Sequence, residues 1–300
     1  DQMSSRIEAD LSPALSARLL EHTQRRQELR DALDNWSNAS SSAAPLAQPV
    51  ITARNRLSAV INAFWRSQEL GMTRATLRLE NTDVADFPPQ LPGFFYERVR
   101  NLSLARMSGS TAQLERFFSR FTRLESLRIV EHAQATQDLP NALLRLPQLN
   151  YLSIRDMGLE IDERMLATIA RLSQLTALEL AGNRLAAIAE APPGLRNLRR
   201  LELNNMGSQQ WPSWVDGVLP LELLDLSENE LTELPNHILS NLDNDFPVSS
   251  ISLFGNPLTH DTMFRARTSS DSQRSFTFAM DVPEGLLLMT SSDDEMAGGH

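Results

Sequence analysis

The sequence predicts an α/β solenoid, a curved parallel sheet with a mostly helical convex side, closed at its N-terminal end by helices. Three observations predict it. The stretch "LTALELAGNRLAAI" (Leu175 to Ile188) returns almost intact as "LELLDLSENELTEL" (Leu221 to Leu234). Pairs of apolar residues separated by one position recur at near-constant intervals. Between those pairs lie segments whose apolar residues fall at helical spacing.

Aligned on L-x-x-L-x-L-x-x-N, the chain contains eight units. Their central pairs are Leu77/Leu79, Leu102/Leu104, Leu127/Ile129, Leu152/Ile154, Leu178/Leu180, Leu201/Leu203, Leu224/Leu226 and Ile251/Leu253. Successive units lie 25, 25, 25, 26, 23, 23 and 27 residues apart, inside the range of leucine-rich repeats. Alternation places both members of each pair on one face of a short strand. A further apolar residue at the eleventh place (Val84, Leu159, Leu185, Leu231, Leu258) turns back toward the same core. One unit cannot bury that face alone, so the units stack. Asparagine at the ninth place (Asn183, Asn229, Asn256) is expected to bond backbone groups of the turn that burial would otherwise leave unpaired. Thr82, Met107, His132, Met157 and Met206 hold that place elsewhere, and less regular turns are expected there.

"TAQLERFFSRF" sets Leu114, Phe117, Phe118 and Phe121 on one helical stripe, and "DERMLATIARL" does the same with Met165, Leu166, Ile169 and Leu172. Pro140, Pro192, Pro193, Pro212 and Pro235 fall between strands, where no sheet hydrogen bond is lost.

Residues 1–70 read as a helical segment and cap, 71–260 as the repeats, and 261–300 as a C-terminal cap followed by a disordered tail. In the first amphipathic stretch Leu15, Leu19, Leu29, Leu33 and Trp36 share a helical stripe. In the second, Leu57, Val60, Ile61, Phe64 and Trp65 form a wide apolar face suited to covering the open end of the first repeat. "NASSSAAPLAQP" between them is a mobile linker by composition, and "TSSDDEMAGGH" reads as disordered.

A formal charge of −10 argues against a nucleic-acid backbone or an anionic membrane as the main partner. No apolar run is long enough to span a bilayer. The opening "DQMSSRIEAD" lacks the regions of a signal peptide, and a chain starting without methionine is expected to be a fragment or processed product. Cysteine is absent, which removes disulfides, thiolate metal sites and cysteine nucleophiles. The five histidines fall in no ligand spacing, so neither metal nor cofactor is expected. No nucleophile elbow, P-loop or zinc-protease motif occurs, and this chain is not expected to be an enzyme. Every basic residue is arginine; without lysine the chain offers no side-chain acceptor for ubiquitin.

The outward strand positions form three rows. The central row reads Arg78, Ser103, Arg128, Ser153, Glu179, Glu202, Asp225, Ser252, basic in its first half and acidic in its second. Glu80, Ala105, Val130, Arg155, Ala181, Asn204, Ser227 and Phe254 flank it on one side. Thr76, Asn101, Ser126, Tyr151, Ala177, Arg200, Leu223 and Ser250 flank it on the other. A concave face divided by sign suits a protein ligand with complementary halves. The binding candidates are Arg78, Arg128, Tyr151, Arg155, Glu179, Arg200, Glu202, Leu223, Asp225 and Phe254, with Tyr151, Leu223, Phe254 and Arg128 as anchors.

The order "ALDNWSNA…APLAQPVITARNRLSAVINAFW", then "TLRLENTDVADFPPQLP", then repeats ending in "SLFGNPL" resembles the N-terminal part of bacterial effector ubiquitin ligases that join leucine-rich repeats to a novel E3 ligase (NEL) domain. The resemblance covers roughly residues 30 to 260, and its specific part is the junction of cap and first repeat. The repeats are longer than those of the best-known enteric members. The family's ligase domain uses a catalytic cysteine, so its activity transfers to no residue here. What the resemblance implies is a substrate-recognition region secreted into host cytoplasm, holding a host protein and packing in the resting state against a ligase domain absent from this chain. The alternative is a binding protein, toxin-associated domain or scaffold that acts by occupancy alone.

Overall fold

The eight strands expected from the repeats form, and all join one parallel sheet. The computed structural model describes residues 13–39, 45–72, 74–133, 138–239, 248–272 and 277–281. After helices α1 (Pro13–Asn38) and α2 (Gln48–Glu69), the chain runs through β1 (Thr76–Glu80), α3 (Gly93–Arg98), β2 (Asn101–Ala105), α4 (Thr111–Phe118), β3 (Ser126–Val130) and α5 (Asn141–Leu144). It continues with β4 (Tyr151–Arg155), a two-residue β5 (Glu160–Ile161), α6 (Glu163–Ile169), β6 (Ala177–Glu179), a two-residue β7 (Arg184–Leu185), β8 (Arg200–Glu202) and β9 (Leu221–Asp225). Last come α7 (Asn236–Leu239), β10 (Val248–Ser252), α8 (His260–Ser272) and β11 (Thr277–Ala279). The sheet order is β1-β2-β3-β4-β6-β8-β9-β10-β11, and β5 pairs with β7 outside it. The fold is a leucine-rich-repeat solenoid with N-terminal helices.

The paired leucines are buried throughout: Leu77, Leu127, Leu152, Leu178, Leu201 and Leu224 have no exposed surface. Each is worth about 1.5–3 kcal/mol of transfer free energy, so the column they form is the main source of cohesion between neighbouring repeats. The first units enrich it with rings. Phe117 and Phe121 lie 5.0 Å apart, and Tyr96 and Phe121 5.2 Å. On α2, Leu57, Ile61, Phe64 and Trp65 are buried, and Trp65 stacks at 5.3 Å from Phe94 of α3. That contact seals the open end of β1.

Two of the convex helices start on side-chain caps. Ser110 and Gln113 exchange bonds at the start of α4, where the Gln113 amide donates to Ser110 Oγ and the Ser110 amide to Gln113 Oε1. Asp162 caps α6 by accepting from the Met165 amide at 2.8 Å. Between β7 and β9 the convex segments are shorter 3-10 turns, Pro193–Leu195 and Ser213–Val218.

Two expectations are corrected. The turns without asparagine are as regular as those with it. The eighth place is left-handed in every unit: φ is 52° at Asn81, 49° at Arg106, 53° at Glu131, Asp156 and Asn205, 57° at Glu228, 74° at Gly182 and 71° at Gly255. Its amide donates to the seventh-place carbonyl of the next repeat, as from Arg106 to Val130 (2.9 Å), Asp156 to Ala181 (3.0 Å) and Glu228 to Phe254 (2.7 Å). This backbone ladder sets the turn whatever side chain follows it. Second, Leu15 and Leu19 are 43% and 52% exposed; only the later part of the α1 stripe, Leu29 and Leu33, is buried. Arg26 meets Glu69 at the end of α2, so the residues of α1 before it have no α2 residue opposite them. Beyond residue 260 a further strand joins the sheet: β11 pairs in parallel with β10, Phe278 opposite Ile251. The middle of the linker and the tail from 282 onward lie outside the described residues.

Candidate protein-binding face

Strand register makes the three rows real. Arg78, Ser103, Arg128, Ser153 and Glu179 align strand by strand, and Glu202, Asp225 and Ser252 continue the line. Tyr151, Ala177, Arg200, Leu223 and Ser250 align beside them. On the other flank the Gly182 amide donates to the Asn204 carbonyl and the Glu228 amide to that of Phe254, which carries the third row across the later repeats. Neighbouring strands are about 4.8 Å apart, so side chains in a row touch or repel directly.

The ten candidates sit differently on this face. Arg78, Arg128 and Arg200 are exposed, and Phe254 stands 45% exposed near the C-terminal end. Tyr151, Arg155, Glu179, Glu202, Leu223 and Asp225 are half-buried. Arg78 and Phe254 lie seven strands apart in the sheet, so the candidates form a strip along the face rather than a single pocket.

The middle of the strip is the most constrained. Glu179 and Glu202 oppose each other on β6 and β8, with Asp225 next in line on β9. Burial pushes the Glu202 carboxyl up to about 7, aided by the charge of Glu179, a proton shared with it, and the charge of Asp225; Arg200, 3.8 Å away, offsets this only in part. For Glu179 burial also opposes ionisation, but it is outweighed by the Tyr151 and Ser153 hydroxyls, the Glu202 carboxyl and the charge of Arg155, and its pKa stays below the usual carboxylate value. Burial, with the Glu179 carboxylate beside it, pushes the Tyr151 phenol up to about 12, against weaker effects of Ser153 and Arg128.

The small residues of the rows are not among the ten candidates. Ser153, Ala177 and Ala181 are outward-facing, yet they are 0%, 9% and 2% exposed. Larger neighbours on the same face cover them. Ser153 Oγ, Glu179 Oε2 and Asn204 Oδ1 are all shut off from solvent, and none completes a hydrogen bond of normal geometry. The signal is in the rows: small residues at adjacent positions, ringed by Tyr, Arg and Glu, are the ones their larger neighbours close over once the rows are read in two dimensions. Asp225 is satisfied instead by the Ser227 amide at 2.9 Å and the Ser227 hydroxyl.

No family model matches the chain. It is 30% identical over 165 residues to mouse podocan, spanning 52% of this chain and about a quarter (25%) of podocan's length. Among solved structures it is similar to internalin C2 from Listeria monocytogenes (15% identity, 85% of this chain and 92% of that one, TM-score 0.44). Human 5T4, the trophoblast glycoprotein, matches at 23% identity over 69% of this chain and 76% of its own, TM-score 0.46. The Arabidopsis receptor kinase HAESA ectodomain, solved with an IDA peptide hormone, matches at 24% identity over 60% and 30%, TM-score 0.38.

Proposed function

We propose that the chain is a protein-recognition module that holds its partner along the concave face of the repeat sheet. The observation that carries this reading is the register. Three aligned rows present exposed arginines, half-buried acids and the apolar Leu223 and Phe254 on one rigid surface, with basic character toward β1 and acidic character toward β9. A display selection with this chain as bait, repeated with Leu223→Arg and Arg128→Glu, tests it. Binders lost on both variants support the reading; binders indifferent to both, with the variants folded, overturn it.

Within that reading, the chain is the substrate-holding region of a bacterial secreted effector ubiquitin ligase of the NEL type, acting in host cytoplasm. Two features support it: α2 capping the first repeat through Trp65 and Phe94, and a complete lack of lysine beside a ubiquitin-transferring domain. The cysteine-free chain supplies no acceptor for ubiquitin, so transfer belongs to another domain. The test is a ubiquitin-chain assay on the parent protein beside this chain. Chains from the parent alone support the ligase reading. Silence from a folded parent whose autoinhibition has been relieved leaves a module that acts by occupancy.

A further inference from the structure

The helical cap holds a cleft that none of the ten candidate residues lines. Its volume is about 350 Å³, and it lies between Arg26 and Arg30 of α1 and Asn62, Trp65, Arg66 and Glu69 of α2. Arg26 and Arg30 stand four residues apart on α1, as Asn62 and Arg66 do on α2, so each helix presents a same-face pair to the cleft. Three guanidinium groups thus share one carboxylate, in a chain whose formal charge is −10. Arginines at that spacing repel each other, and Glu69 relieves only one of them. Its carboxylate is taken by Arg26, whose Nε donates to Oε1 at 3.0 Å and whose Nη2 donates to Oε2 at 2.7 Å. Among the described residues neither Arg30 nor Arg66 forms an ion pair or a side-chain hydrogen bond, and the half-buried Asn62 amide is equally unengaged.

The pairing with Glu69 also orients Arg26. It uses the Nε and Nη2 edge, so the guanidinium plane is fixed while Nη1 keeps both its donors. At the base lies Trp65, 4% exposed and packed against Phe94, which gives the cleft a rigid apolar wall. An anion held against that wall is screened less than one on open surface.

We infer that the cleft is a binding site for one phosphate monoester group, free or carried on a side chain of a protein partner. With Arg26 neutralised by Glu69, two positive charges are left over. A carboxylate matches one of them. A phosphate monoester carries roughly two negative charges at neutral pH and three acceptor oxygens, enough to take Arg30, Arg66 and the free edge of Arg26 from both helices at once. The site is separate from the concave face and adds a second kind of ligand to the recognition proposed there.

Tryptophan supplies the reporter. The chain has four: Trp65 in the cleft, Trp36 on α1 under the guanidinium of Arg54, and Trp211 and Trp214 in the repeats. The chain labelled with 5-fluorotryptophan is titrated at fixed ionic strength with inorganic phosphate, with a Gly-phosphoserine-Gly peptide, and with the serine and glutamate versions of that peptide. The phosphate-bearing titrants are expected to shift the Trp65 fluorine resonance saturably and leave the other three still. Arg30→Gln and Arg66→Gln are each expected to weaken the response about tenfold or more. Neither variant loses an ion pair, and an unmoved Trp36 resonance certifies that the two helices still pack. Equal response to inorganic phosphate and phosphopeptide supports the site with the free ion as its ligand; a tighter response to the phosphopeptide supports it with a phosphorylated side chain. No saturable shift with either, an equal shift with the glutamate peptide, or a response that survives both substitutions overturns the site. The display test on Leu223→Arg and Arg128→Glu reads the concave face alone and is untouched by that outcome.

Discussion

Glu179 and Glu202 oppose each other directly on neighbouring parallel strands, and the second holds its proton up to about pH 7. An unfolded glutamate titrates near 4.5. Between those values the folded chain carries a proton that the unfolded chain has lost, so this group favours folding at low pH. Its contribution is lost as pH rises from about 4.5 through about 7. Glu202→Gln removes that dependence. Urea unfolding is expected to show the variant more stable than the parent at pH 8, by on the order of 1 kcal/mol after solvent screening, and nearly equal to it at pH 4.5. Equal differences at both values would mean the pair is not coupled through a proton.

Tyr151 titrates at about 12 and Tyr96 is also raised, through burial. A free tyrosine ionises near 10, so between about 10 and about 12 the Tyr151 phenol stays neutral in the folded chain while it ionises in the unfolded one. Stability therefore falls as pH climbs through that window. Ultraviolet difference titration of the native chain should show the Tyr151 step only near 12, and the Tyr96 step above the ordinary tyrosine value. In Glu179→Gln the Tyr151 step should move down, since the carboxylate beside it is gone, while the Tyr96 step stays. A simultaneous step at ordinary pH for both residues would place Tyr151 in open solvent.

The rows of this face were legible in the sequence because two periods fix them. Alternation decides which side of the strand faces out, and the repeat decides which residues stand beside each other. What escaped obeys neither period. The eighth place is occupied by Asn81, Arg106, Glu131, Asp156, Gly182, Asn205, Glu228 and Gly255, with no common side chain, because a backbone ladder imposes its left-handed turn. The segment around β11, "TFAM", has neither leucine nor a ninth-place asparagine, so nothing in it matches the template. The burial of Ser153 beside Glu179 is a property of neighbours on adjacent strands, invisible when each repeat is read alone.

The left-handed places separate glycine's conformational role from its size. Gly182 has φ 74°, and a methyl group there would run into the Asp156 carboxylate. Gly182→Ala is expected to lose about 2 kcal/mol or more, from the backbone penalty and the clash together. Glu131 holds the same conformation with an exposed side chain. Glu131→Gly should therefore be neutral or stabilising by up to about 1 kcal/mol, where mid-strand glycines destabilise. Chemical denaturation of both variants checks the pair. A loss at Glu131→Gly would mean that its side chain matters more than its backbone.

Asn229 is buried and makes four bonds of 3.2 Å or shorter at once, besides a longer one at 3.4 Å to the Ser227 carbonyl. Its Oδ1 accepts from the amides of Met206 (2.9 Å) and Ser208 (3.2 Å), while its Nδ2 donates to the carbonyls of Leu203 and Leu226, both at 2.9 Å. Asn183 does the same two repeats earlier, with Met157, Leu159, Ile154 and Leu180. Removing Asn229 leaves two donors and two acceptors in a place water does not reach, so Asn229→Ala is expected to lose about 2–4 kcal/mol. A solenoid passes contacts only between neighbours, which makes the loss local. Hydrogen exchange should quicken at the amides of Met206 and Ser208 and along β8 and β9, while those of β1 to β3 keep their protection. Uniform acceleration through β1 would show instead that the repeats unfold as one unit, coupled as tightly end to end as they are to their neighbours.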